Sequence, residues 1–210
     1  MTSPRRPYHH GNLRQALLDR AAMKLHEKGA AELSLRELTG EIGVTHAAPR
    51  RYFPDRQALL DALAVEGFAR LGVRLREAAA TAGGPTERIR SIADAYIGFT
   101  TSEPNLVELM FAHKHGAGAE AIARSAVEAF APILDVFQRA QPEDVPGAQD
   151  AQRAAVIFLA TFQGLAGLIS CGIVPPHQIN DLITDAVARF DDRTCPLTPR
   201  DAPRPRREQE

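Results

Sequence analysis

The chain has no tryptophan, only two cysteines in 210 residues, and a net charge of −1. Each shortage excludes a class of protein. Cys171 and Cys195 stand too far apart for any metal-ligand spacing. Two lone thiols make no disulfide framework, and they fit a reducing cytoplasm. The near-neutral charge excludes a uniformly basic coat. The basic N-terminus has no apolar segment behind it, so no signal peptide is expected. No strand pattern and no internal repeat occurs. Neither a Ser/His/Asp order, a carboxylate pair nor a glycine-rich phosphate loop is present, so no catalytic residue is expected, and an enzyme reusing a helical bundle has no support. His113 and His115 would point to different helix faces, so no metal site and no cofactor are expected.

One long apolar run remains. Residues 154–174 carry no charge and are long enough to cross a bilayer. Thr161, Gln163, Ser170, Gly164, Gly167, Cys171 and Gly172 interrupt the run. An aromatic belt is impossible without tryptophan or flanking tyrosine. A helix apolar all round can instead be buried in protein on two sides, and no membrane partner is expected.

What is present is helical periodicity. Residues 1–11 form a basic arm that contains Arg5 and Arg6. Asn12 can cap a helix to about Lys28, with Leu13, Leu17, Ala21 and Leu25 inward and Gly29 at its end. Asp55 caps a long helix from Arg56 that fades near Gly83. Helices are then expected over 86–101, from Pro104, over 117–140 with Pro132 as a kink, over the uncharged run, and from His177 to Phe190. Residues 142–147 read as a loop. Residues 191–210 are charged, Pro-rich and without periodicity, as disordered tails are. The fold class is all-α.

Residues 34–53 hold the strongest signal. Ser34 and Glu37 match an S-x-x-E capping box, and Leu35, Leu38 and Ile42 share one face. Gly43 stops that helix and Thr45 can start the next. Two short helices around a glycine turn make a helix-turn-helix. Residues 1–60 hold ten Lys/Arg and six Asp/Glu, a balance of +4, and the remaining residues hold fifteen and twenty, a balance of −5. The basic excess therefore coincides with the motif, as a DNA footprint should. The candidate DNA contacts are Arg36, Thr45, His46, Ala47, Arg50, Arg51, Tyr52 and Arg56. Arg50 and Arg51 can neutralise phosphates, and a guanidinium fork can also grip guanine. Pro49 falls in the first turn, where a missing N–H costs least.

Further along, Tyr96, Phe99, Met110, Phe111, His113, Phe130, Phe137, Phe162 and Gln163 are candidates to line a pocket for a small, largely apolar effector. The last helix repeats apolar residues at Ile179, Leu182, Ile183, Ala186, Val187 and Phe190. With Phe158, Leu165 and Ile169 of the preceding helix, these would build a four-helix homodimer interface. Ala160 and Gly164, small at i and i+4, would allow close helix approach. Double-stranded DNA, a second copy and an effector are thus the expected partners. The domains expected are an arm (1–11), a DNA-binding domain (12–55), a ligand-binding and dimerisation domain (56–190) and a tail (191–210).

Over residues 17–63 the chain resembles the tetracycline-repressor-like (TetR) family of bacterial regulators. The likeness rests on Ala21-Ala22, Gly29, Ser34-Leu35-Arg36-Glu37-Leu38, Gly43-Val44-Thr45, Tyr52-Phe53 and Leu59-Leu60. It implies a ligand-responsive repressor that binds a palindromic operator as a homodimer. A ligand-independent activator or an architectural DNA binder is the alternative. A weaker likeness, through His9-His10-Gly11, points to a branch with a Trp-His-Gly-type C-terminal domain. That motif is degraded here, with Gln163-Gly164 and no tryptophan. Arg50 stands where the family usually has tyrosine, Arg56 where it often has lysine, and Ala48 where serine or threonine is common. The target sequence therefore does not carry over.

Overall fold

A computed structural model describes residues 13–45, 49–112, 118–140 and 148–190. Among them it holds eight α-helices and no strand. The helices are α1 Leu13–Lys28, α2 Leu35–Ile42, α3 Arg56–Ala79, α4 Pro85–Ser102, α5 Pro104–Phe111, α6 Ala119–Arg139, α7 Ala148–Ser170 and α8 Ile179–Ala188. Short 3-10 turns occur at Ala30–Glu32, Pro49–Arg51 and Pro176–Gln178. The all-α expectation is met, although no α-helix is described between Gly43 and Arg56. The arm, Asn12, the 142–147 loop and the tail lie outside the described residues.

Local chemistry explains most boundaries. Gly29 and Gly43 have φ of 77° and 79°, left-handed values that glycine reaches without a Cβ clash, and each ends a helix. Asp55 caps α3, its Oδ1 accepting the Ala58 N–H at 2.8 Å. The capping box does not form. Ser34 has the extended backbone of an N-cap but makes no side-chain cap bond. Glu37 instead meets Lys24 Nζ at 2.8 Å. A nearly buried ammonium attracts a carboxylate more strongly than a backbone N–H does. The uncharged helix begins earlier than expected, at Ala148, and ends at Ser170.

The chain forms two compact units that do not follow sequence order. The first joins Met1–Leu71 to Ser102–Ala129, and the second joins Gly72–Thr101 to Phe130–Glu210. In the first unit α1 and α2 are tied by charge. Lys24 Nζ lies 2.8 Å from Glu37 and 2.9 Å from Glu41, with 9% of its side chain exposed. Arg20 also reaches Glu41, at 2.5 Å. α5 packs on α3 because Gly67 has no side chain. A Cβ there would sit 2.7 Å from Met110 Sδ and 3.1 Å from Leu106 Cδ1. Phe68 and Phe111 meet edge to face at 5.6 Å. Asn105 Nδ2 donates to the carbonyls of Leu25 and His26, both at 3.0 Å, adding to the Gly29 N–H already on Leu25 and serving one of the last carbonyls of α1 at His26. Beside it Glu103 pairs with Arg70 and approaches His26 Nδ1 at 3.8 Å.

The second unit has an aromatic core. Phe158 stacks tilted on Phe162 at 4.5 Å and meets Phe190 at 5.4 Å and Phe137 at 5.8 Å. Arg90 links α4 to α8. Its Nε donates to Asp94, Nη1 to Thr184 at 2.6 Å, and Nη2 to Asn180 at 2.5 Å.

Hydrogen bonds from Lys24, then from Arg20, hold the Glu41 carboxyl below its ordinary 4.5. A depressed carboxylate stabilises the fold above its unfolded pKa, and that contribution is lost as pH falls through the folded value. Glu41→Gln should therefore lower stability at neutral pH and flatten the loss of stability on acidification below about pH 4.5. Denaturant unfolding at a series of pH values measures both. An acid limb as steep as the parent's would remove Glu41 from the brace.

Candidate functional site

The motif residues lie in the first unit. α2 presents Arg36 to solvent, and after the Gly43 turn Thr45 is exposed. His46 and Ala47 lie outside the described residues, as do Ala48 and His113. Pro49–Arg51 form one 3-10 turn where a continuous helix over 45–53 was expected. The proline explains part of this, since it has no N–H to donate back to residue 45. The N–H groups of Tyr52 and Phe53 both return to the Pro49 carbonyl at 2.8 Å. Arg50 and Arg51 stay exposed, Tyr52 is half exposed at 43%, and Phe53 is buried.

Packing divides the candidate cations into two groups. Among the described residues Arg36, Arg50 and Arg51 meet no carboxylate, whereas Arg20 and Lys24 are held by α2. Arg56 is engaged differently from the expected phosphate contact. Its Nε donates to the Leu33 carbonyl at 2.8 Å, and its Nη2 donates to that of Ala30. It therefore closes the segment between α1 and α2 onto the start of α3. Sequence reasoning had no means of seeing this, since a carbonyl acceptor has no residue signature.

The expected pocket set does not come together in one unit. Met110 is buried and Phe111 half exposed, both in the packing of α5 on α3 in the first unit. Tyr96, Phe99, Phe137 and Phe162 are buried in the second unit, where Phe130 and Gln163 are half-buried. Tyr96 Oη donates to Gln163 Oε1, and burial pushes its phenol well above the usual range. Arg74 lies over the Phe99 ring at 5.3 Å. A cleft in the first unit between His26, Gly67, Glu103 and Leu106 has a volume of about 20 Å³, space for a water rather than an effector.

The expected dimer set also divides. Phe158, Ile183 and Val187 are 1%, 4% and 5% exposed, turned into the protomer's own core. This corrects their assignment to an interface, because such side chains have almost no surface left to bury. Phe190 joins them through Phe158 and Phe137. Leu165, Ile169, Ile179, Leu182 and Ala186 are half-buried. Among the apolar side chains left open, one group forms another stripe of α7, with Val156 at 61%, Ile157 at 47% and Leu168 at 45% exposure. Ala160, Gly164 and Gly167 are exposed among them, and a Cβ on either glycine would touch nothing in the protomer. Residues Asp150–Ser170 are long and apolar enough to cross a membrane by composition.

Two family models match. Residues 17–63 match "Bacterial regulatory proteins, tetR family", and residues 89–190 match "Tetracyclin repressor-like, C-terminal domain". A structure of a protein with unknown function from Rhodococcus sp. RHA1 is 36% identical, with TM-score 0.76, over 89% of this chain and 97% of that one. The transcriptional regulator FadR from Bacillus subtilis, solved in complex with stearoyl-CoA, is 12% identical. Its TM-score is 0.65, over 84% of this chain and 97% of that one, a likeness of fold alone. The nucleoid occlusion factor SlmA of Pasteurella multocida (strain Pm70) is 26% identical over 101 residues, 48% of this chain. The chain spans about half of SlmA's length, 51%.

The bonds from Arg56 separate architecture from contact. Arg56→Ala should cost about 1–3 kcal/mol of stability, the scale for hydrogen bonds from a charged group. Arg50→Ala and Arg51→Ala, exposed and unpaired, should stay within about 0.5 kcal/mol of the parent. Urea unfolding of the three variants is the measurement, and an Arg56 variant as stable as the other two would mean its carbonyl bonds contribute nothing.

Proposed function

The chain belongs to the TetR family of bacterial DNA-binding transcriptional regulators, and from that premise we propose that it is a ligand-responsive repressor acting as a homodimer on a palindromic operator. The observation that carries the DNA reading is the surface at the Gly43 turn. Arg36 near the start of α2 is exposed, as are Arg50 and Arg51 after the turn, all without carboxylates among the described residues, the latter two on a segment fixed by the Pro49 carbonyl and the Phe53 side chain. Unpaired guanidinium groups neutralise phosphate, release counterions, and in a fork geometry read guanine. Such a protein works in the cytoplasm, where its DNA is.

The dimer follows from α7. One face of that helix is spent on the aromatic core through Phe158, Phe162 and Ala166, so the helix is not apolar toward lipid on all sides. The other face offers Val156, Ile157 and Leu168 around Ala160, Gly164 and Gly167, which permit close approach of a second helix. A self-complementary stripe of this kind suits a two-fold contact.

The effector is proposed as a largely apolar small molecule held in the second unit, oriented by Tyr96 and Gln163. The Bacillus subtilis FadR structure, which holds stearoyl-CoA, lends an example of this fold with a ligand that carries a long apolar chain. Effector binding would shift an equilibrium between two states of the DNA-binding heads, because it favours one of them. The complete burial of Tyr96, Phe99 and Phe162 favours a second reading, a regulator that needs no ligand.

Selection of bound fragments from a random duplex pool should return a palindrome with half-site centres about 34–36 Å apart or a multiple of it. Recovering no enriched motif at moderate salt would sink the operator reading. Ile157→Asp places a carboxylate on the exposed stripe without touching the protomer core. Light scattering should show folded monomers, and operator affinity should fall with dimerisation. A variant that stays dimeric at micromolar concentration would place the interface elsewhere. A thermal-shift screen of long-chain acyl compounds and apolar drugs tests the effector. True effectors should raise the melting temperature and weaken operator binding roughly 5- to 150-fold. Stabilisers that leave operator affinity unchanged would favour the ligand-independent reading.

A further inference from the structure

We propose that Arg14, on α1, is a fourth DNA-contacting arginine, positioned by the Phe53 ring; the proposal rests on the DNA-binding reading above. The Arg14 guanidinium carbon lies 5.6 Å from the centroid of the Phe53 ring. Phe53 is 2% exposed, and its backbone N–H is bonded to the Pro49 carbonyl, so the ring is a fixed platform. It directly follows Arg50, Arg51 and Tyr52 in the chain. Arg14 is thereby brought to the segment that carries those contacts, although 36 to 38 residues separate them in sequence (50 − 14 and 52 − 14).

The chemistry suits a phosphate. A cation–π contact with the ring occupies no lone-pair acceptor, so the guanidinium N–H donors are not committed to it. Arg14 is exposed, and among the described residues no carboxylate pairs with it. The other cations of α1 near it in sequence behave differently, since Arg20 and Lys24 are both neutralised by α2. Nor does Arg14 serve its own helix. It lies in the first turn of α1, which has no acidic residue, and a cation there opposes the helix dipole. The stack also restricts the side chain before DNA arrives, so less rotamer freedom is lost on contact.

The test uses the full-length protein and a short labelled duplex of mixed sequence, titrated over a range of salt. Arg14→Gln should lower the absolute slope of log K against log salt by about one unit, as one lost phosphate contact requires. Arg14→Lys should keep the parent slope, because the charge remains. A purely structural role would lower the melting temperature of Arg14→Gln and leave the slope untouched, so both quantities are read on each variant. The parent slope in folded Arg14→Gln, with Arg51→Ala reducing it, overturns the Arg14 proposal alone. Failure of the unmodified protein to bind the duplex at low salt overturns the DNA reading and this proposal together.

Discussion

An ammonium with 9% of its side chain exposed stays charged only where carboxylates meet it. Lys24 is met by two, Glu37 and Glu41, which stand one helical turn apart on the same face of α2. Their joint grip fixes how far α2 is rolled about its own axis. The roll of α2 decides where Gly43 turns the chain, and so where Arg36 and the residues after the turn emerge. Arg20 reinforces the grip from the same side. The placing of Arg36 and of the turn at Gly43 is in this sense a consequence of one largely buried charge on a different helix.

The same brace redistributes charge. Counted along the sequence, the first sixty residues hold a modest excess of +4. In three dimensions the acids of α2 are absorbed by α1, and Arg56 is absorbed by the carbonyls of Ala30 and Leu33. Among the described residues Arg36, Arg50 and Arg51 meet no carboxylate. A weak overall excess thus becomes a local one, which is the quantity a phosphate backbone responds to.

Helix existence was legible because apolar periodicity, glycine stops and the Asp55 cap act within a few residues. The turn at Gly43 and the exposed Arg36, Arg50 and Arg51 were legible for the same reason. The Ser34 box failed because Glu37 had a stronger partner on α1, which local pattern cannot weigh. The apolar stripes of α7 and α8 were seen, but their facing was not. A stripe with Ile183 and Val187 looks the same in sequence whether it meets its own core or a second copy. Met110 and Phe111 were grouped with Tyr96 on composition alone, while the absence of a side chain at Gly67 had already assigned them to α3. Phe158 and Phe162, given separate roles, stack on each other. In each case the deciding contact is distant in sequence or is made by an atom that is missing.

The clasp of Asn105 on α1 also bears on how the chain reaches this state. The Leu25 carbonyl, which already accepts the Gly29 N–H, and the His26 carbonyl each take a donor from a residue 80 and 79 positions later. During synthesis the helix-turn-helix leaves the ribosome long before that amide exists. Until α5 arrives, the end of α1 is uncapped by Asn105, and the surface that Leu106 and Met110 will cover is open. The packing of the first unit is accordingly finished only by residues of α5. Its completion is a high-contact-order event, subject to the closure entropy of a long loop and dependent on chain that is made last but one. A chain that ends before α5 would lack the Asn105 bonds on α1 and the cover of Leu106 and Met110 over Gly67.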